Sequence, residues 1–237
     1  MGGSQKGHHR VYPNHHYALL WATLSLFWQN SILSVMATVD LVFVGENLAL
    51  DLLNTAPPDE GGRTDLLAGP ADVLRWLSDA GLLDPAEVGR MEQSPPDARL
   101  LWEEAVGLRL AAGEALAAWL RGAPIPDRAL FALNRCLEAR LTGVALRRGG
   151  QELSWVQSQH LTETAGYLAP VAGELADLFL EGDPKRVRRC AGPGCAMWFR
   201  DTSKNGSRRW CSMARCGNRA KVAAHYRRRK AQGGSLD

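Results

Sequence analysis

Acidic residues almost vanish from the last fifth of this 237-residue chain. Between Lys185 and Lys230 stand 15 Lys and Arg against one carboxylate, Asp201, while the remainder carries 13 basic and 24 acidic residues. The formal net charge of +3 therefore conceals an acidic body joined to a basic segment, a distribution suited to meeting a polyanion. Cysteine is scarce as well, at five residues. That is too few for a disulfide framework at this size, and with four of them in close pairs a reducing, cytoplasmic compartment is expected. Long apolar runs are missing too. The stretch from Ala18 to Val35 is interrupted at Gln29 and Asn30, leaving an apolar core of about ten residues where a bilayer span needs about 20. No membrane partner is expected. The chain also lacks a P-loop, a dinucleotide-binding glycine fingerprint and an HExxH pair, so nothing marks it as an enzyme.

What is present is ordinary globular composition, 46% hydrophobic and 22% charged, in a chain long enough for one large domain or two unequal ones. Residues 1–35 read as an extension outside the fold, preceding Met36. Residues 36–182 read as an α+β domain, mostly helical with a small antiparallel β element. Within it, Val39–Val44 is an apolar, β-branched run that predicts a buried strand. Asn47–Asn54 predicts a short helix, and the Pro/Gly-rich stretch after Thr55 a loop. Leu66 and Leu67 suggest a brief strand, and Pro70 opens a helix carrying Val73, Leu74 and Leu77. Leu101, Ala105, Leu108, Ala112, Ala115 and Trp119 place one apolar stripe on a long helix over 96–121. Pro126 starts another helix, through Arg140. Alternation around Val144, Leu146, Leu153 and Trp155 across Gly149-Gly150 predicts a hairpin. Helical spacing resumes from Leu161 to Phe179, with a kink or break near Ala169 imposed by Pro170. Cys136 lies in a helical pattern and reads as a buried structural thiol.

Residues 183–237 carry the chemistry. Cys190-x4-Cys195 and Cys211-x4-Cys216 are two matched pairs separated by fifteen residues. Four thiolates can enclose one Zn²⁺ tetrahedrally and leave no open position, so the metal builds structure and activates no water. The Gly/Pro-rich Cys190–Cys195 knuckle can curl its thiolates toward one point. The second pair leads into a helix, with Ser212 as its candidate cap. A segment this small lacks a core and depends on its metal to fold. Trp198, Phe199 and Trp210 are read as its small hydrophobic core, and Asp201, Ser203 and Asn205 as loop-supporting groups.

Projected at about 100° per residue, the terminal helix gathers Met213, Gly217, Ala220 and Ala224 on a packing face. Arg215, Arg219, Tyr226, Arg229 and Lys230 lie opposite. Such dense cations repel one another, and phosphates would relieve them by releasing counterions.

The run Cys190-x4-Cys195-x3-Phe199-x-Asp201-x-Ser203-x-Asn205, then Arg208-Arg-Trp-Cys-Ser-Met-x-x-Cys216-Gly-Asn-Arg219-x-Lys221, resembles the CGNR zinc finger. Upstream, Phe43-Val-Gly-Glu-Asn-Leu-Ala-Leu-Asp-Leu-Leu-Asn-Thr55 is similar to the opening of the ABATE domain. Together the likeness spans 39–230. It implies a stress-induced bacterial transcription regulator that binds DNA and holds one structural zinc on Cys190, Cys195, Cys211 and Cys216. Double-stranded DNA is the expected partner, with Arg208, Arg209, Arg215, Arg219, Lys221, Arg227 and Arg228 as its contacts. The acidic domain would sense a ligand or mediate oligomerisation, a homodimer included. Asp51 and Asn54, one helical turn apart, could line a ligand pocket or simply satisfy a helix end. The competing readings are an RNA-binding protein and a protein-interaction adaptor, since basic charge alone does not separate them.

Overall fold

The computed structural model describes residues 43–56, 65–149 and 152–231 of the chain, all within one compact unit, Val39–Asp237. The proposed extension 1–35, most of the Val39–Val44 run and the Gly150 end of the hairpin turn lie outside the described residues.

The body is built from helices whose starts are written locally. Asn47 caps α1 (Leu48–Leu53), its Oδ1 accepting from the Ala49 and Leu50 amides. Helix α2 (Pro70–Asp79) opens on Pro70, with Asp72 accepting from the Gly69 amide at 3.1 Å. Asp84 and Glu87 form a reciprocal capping box at the head of α3 (Pro85–Glu92), a helix the periodicity reading passes over. The long α4 (Pro95–Leu120) buries Leu101, Ala105, Leu108, Ala112 and Ala115, the anticipated stripe. Helix α5 (Asp127–Glu138) follows Pro126. Strands β1 (Arg140–Gly149) and β2 (Glu152–Leu161) pair antiparallel with Leu146 opposite Trp155, in the register the alternation requires.

Pro170 breaks the next helical pattern instead of bending it. A 3₁₀ turn over Thr164–Leu168 ends there, and α6 (Ala169–Glu181) begins with the proline in its first turn, where no amide is needed. One strand expectation fails. Leu66 and Leu67 form no strand; Leu67 is buried and its amide bonds the Asp65 carboxylate. Of the Val39–Val44 run only Phe43 and Val44 are described; they lie outside any strand, with the Val44 amide donating to the Asp51 carboxylate.

Leu50, Leu52, Trp76, Leu77, Leu101, Leu116, Leu168 and Leu175 centre the core. Arg109 on α4 is buried and bridges three segments, donating to Thr55 Oγ1 and to both oxygens of Asp65. This bidentate pair satisfies a charge that would otherwise be costly inside. The Asp65 carboxyl is held below its ordinary range by that guanidinium. Cys136 is buried and its thiol is pushed up to about 11 by desolvation, as fits an inert packing group.

Beyond the body, a two-stranded sheet of β3 (Val187–Arg189) and β4 (Trp198–Arg200) holds the first cysteine pair. After Cys211 the chain makes one wide π-turn, Met213–Gly217, which carries Cys216, and enters α7 (Asn218–Ala231). Among the described residues no helix is long and apolar enough to cross a membrane.

Candidate metal centre and nucleic-acid interface

All four sulfurs of Cys190, Cys195, Cys211 and Cys216 lie within 4.8 Å of one another. The Cys195–Cys211 and Cys211–Cys216 separations are 3.8 and 3.7 Å. Zinc–sulfur bonds of about 2.3 Å in a tetrahedron put sulfurs about 3.8 Å apart, so the donor set fits Zn²⁺ in both chemistry and spacing. The centre holds one structural zinc.

Local geometry explains the gathering. In the first knuckle the Cys195 amide bonds back to the Gly192 carbonyl at 2.9 Å, and the Gly192 amide points at Cys190 Sγ at 3.4 Å. A Cβ on Gly192 would stand 3.1 Å from Cys216 Sγ, so the site demands glycine there. The Ala191 amide bonds the Arg209 carbonyl, and the Cys211 amide reaches Cys190 Sγ at 3.3 Å, locking the two pairs together. Ser212 occupies the cap position but makes no side-chain cap bond; its carbonyl accepts from the Cys216 and Gly217 amides. The π-turn widens the helix start and brings Cys216 inward.

Without a cation these thiols would resist joint ionisation. Burial pushes Cys195 and Cys211 up, and neighbouring thiols push them further. Cys216 behaves differently. Burial again raises it, but the Arg219 guanidinium, 3.2 Å from its sulfur, and the adjacent thiols outweigh that and hold it below the ordinary value.

Phe199 is fully buried beside the cysteines, with Trp210 and Met197 packed against them. Trp198 instead packs on the core of the body, with Arg189 stacked 4.4 Å over its ring. Asp201 is buried and accepts from the Ser203 amide, the Ser203 hydroxyl and the Arg208 amide. Burial raises its carboxyl, yet these donors and Arg188 hold it below the ordinary range. Arg186 closes the same loop by donating to the Asp201 and Ser203 carbonyls at 3.1 and 2.7 Å, a role that sequence spacing does not announce.

The predicted contacts separate into two groups. Arg208 is turned inward. It donates to the Trp210 and Cys211 carbonyls and to Glu46, and stacks 4.9 Å over Phe199. Arg219 is partly committed, donating to the Arg215 carbonyl and to Cys216 Sγ. By contrast Arg209, Arg215, Lys221, Arg227 and Arg228 are exposed, with Arg209 resting 5.0 Å over Trp210. Of the projected packing face, Gly217 is buried and Ala220 and Ala224 are half-buried, as is Ala223, whereas Met213 is 51% exposed. The extra residue of the π-turn sets Met213 off that line.

Asp51 and Asn54 occupy the seam between body and zinc module. Asp51 Oδ1 accepts from the Val44 and Gly45 amides at 2.8 and 2.7 Å. The Asn54 amide brackets the Trp198 backbone, donating to its carbonyl at 2.9 Å and accepting from its N–H at 2.7 Å. Beside them Arg200 N–H donates to the Gly45 carbonyl at 2.8 Å. A Cβ on Gly45 would approach Asp51 Oδ1 and Leu50 Cβ to 2.9 Å, so only glycine admits this contact. Asn54 thereby joins the zinc module to α1 directly, while Asp51 holds the Val44–Gly45 segment on which Arg200 docks.

Compared with known families, residues 186–229 match the CGNR zinc finger. Residues 46–182, more than half the chain, match the ABATE family, described as "Putative stress-induced transcription regulator". No curated protein matches the chain.

Proposed function

The chain belongs to the ABATE family and carries a CGNR zinc finger, and from that premise we propose that it is a cytoplasmic, DNA-binding transcriptional regulator. One observation carries the reading. A closed four-thiolate centre fixes the start of α7, a helix with no acidic residue, and turns its cations outward. Beyond the favourable placement of its last cations at the helix C-terminus, folding gains little from that arrangement, since like charges on one face repel; phosphates would compensate it. Arg209, Arg215, Lys221 and Arg228 supply the phosphate contacts in this proposal, while Arg208 and Arg219 brace the module that presents them and Arg227 falls on the side of Ala220, Ala223 and Ala224. The acidic body senses a ligand or pairs with a second copy, and its sign keeps it off the duplex. A closed zinc site serves structure, and the protein acts by binding without catalysis.

Competition binding of zinc-loaded full-length protein tests the proposal, with duplex DNA, structured RNA and single strands compared across a salt series. Duplex binding should weaken steeply with salt, and reversing Lys221 and Arg228 to Glu should flatten the slope by about two phosphate contacts. A clear RNA preference at physiological salt, or salt-insensitive binding, would sink it.

A further inference from the structure

The outward face of α7 is not uniformly cationic. Its half-buried residues, Ala220, Ala223 and Ala224, define the side turned to the rest of the protein. At about 100° per residue, the line diametrically opposite runs through Asn218, Val222, His225, Tyr226 and Arg229. Val222 is 54% and Tyr226 62% exposed, and the other three are exposed too. His225 and Tyr226 sit edge to face with ring centroids 6.0 Å apart. A shallow concavity of about 410 Å³ lies among Lys221, Val222, His225, Tyr226 and Arg229. Cations flank this stripe on both sides, Lys221 and Arg228 on one and Arg219 on the other.

An exposed valine in the middle of so basic a helix needs a partner that is anionic at its edges and offers apolar groups at its centre. A second copy of α7 does not qualify, because its flanking cations would face these. The major groove of B-DNA does. It is about 12 Å wide, admits an α-helix, and lays base edges and thymine methyls between two rows of phosphates. The deep, narrow groove of A-form RNA cannot take the same helix.

We propose, on the strength of the DNA-binding reading above, that Asn218–Val222–His225–Tyr226–Arg229 is a base-reading stripe set in the major groove, with the flanking Lys221 and Arg228 on the phosphates of one strand. Asn218, at the first position of α7, offers a carboxamide matched to adenine N6 and N7. Val222, one turn on, meets the methyl of a nearby thymine. The site read therefore contains A·T pairs at the Asn218 end, and Arg229 reaches a guanine or a phosphate at the other.

A randomised-duplex selection with zinc-loaded full-length protein, followed by anisotropy titration, tests this. The selected duplex is compared with versions carrying uracil for thymine or 7-deazaadenine for adenine. Parent protein should lose about fivefold or more in affinity on one deaza position and be weakened by loss of one methyl. Asn218→Ala should be indifferent to the deaza change, and Val222→Ala to the methyl. Both should keep their zinc, being exposed replacements. If both variants select the parent's site and feel every base change as the parent does, the stripe is refuted while Lys221 and Arg228 still govern affinity. Selection of no sequence, despite salt-dependent duplex binding, refutes it equally. Absence of any salt-dependent duplex binding removes the DNA-binding reading and the stripe together.

Discussion

Arg219 illustrates how one residue can carry a sequence signature for a reason that only geometry supplies. Its guanidinium spans the Arg215 carbonyl and the Cys216 sulfur. Four thiolates around one Zn²⁺ leave an excess of negative charge, and a fixed cation on one sulfur offsets part of it. Arg219→Gln should therefore release zinc to a chelator about tenfold faster, the scale of outer-shell effects, and Arg219→Lys should recover only part of the loss because it cannot bridge both acceptors. Timed zinc transfer to a coloured chelator checks this. Asp51 makes a different prediction. Burial, outweighing its two amide donors, and the nearby Glu174 and Glu46 raise its carboxyl to about 7. A carboxyl raised in the folded state favours folding at low pH, and that contribution is lost as pH climbs from about 4 through 7. Asp51→Asn keeps an acceptor for the Val44 and Gly45 amides and cannot ionise. The variant should match the parent near pH 4 and exceed it at pH 8.5 by on the order of 4 kcal/mol, read by urea unfolding at each pH. A difference that does not change with pH would refute the assignment.

At the scale of elements, what was legible depended on how far apart the interacting residues lie. Helix α4 and the β1–β2 hairpin announce themselves through period and turn residues, and the α3 capping box was also there to be read in Asp84-x-x-Glu87. The cysteine spacing located the metal centre because its ligands are close in sequence. Asn54 stood out as a polar residue on an apolar helix, but its partner, the Trp198 backbone, is 144 residues away, and no local pattern encodes that distance. At the described end of the Val39–Val44 run the cause is local: the Asp51 carboxylate, seven residues on and one turn into α1, takes the Val44 amide that a ladder would use. Asn54→Ala should leave the Trp198 N–H and carbonyl without these partners and cost about 2 kcal/mol. Hydrogen exchange at the Trp198 amide should accelerate while the zinc content stays at one per chain, which separates loosening of the seam from loss of the centre.

Across the whole molecule, that seam makes the zinc module part of the body's own core. Val187 and Trp198 pack with the body's buried residues, Val44 packs with the cysteine cluster, and Glu46 pairs with Arg208 across the junction. Metal that folds a freely tethered finger would leave the preceding domain untouched on removal, since binding energy stabilises only what folds with it. Here β4 both closes the first knuckle and docks on α1, so the strand loses its anchor when the thiolates part. Stripping zinc should therefore lower the melting temperature of the helical body as well as unfold 186–231. The zinc-loaded protein should melt in one cooperative transition. Calorimetry with and without chelator, followed by zinc add-back, measures both. A body transition that stays in place after chelation would mean that the contacts of Asn54 and Gly45 contribute little, and that the module's position on the body is not held by its metal.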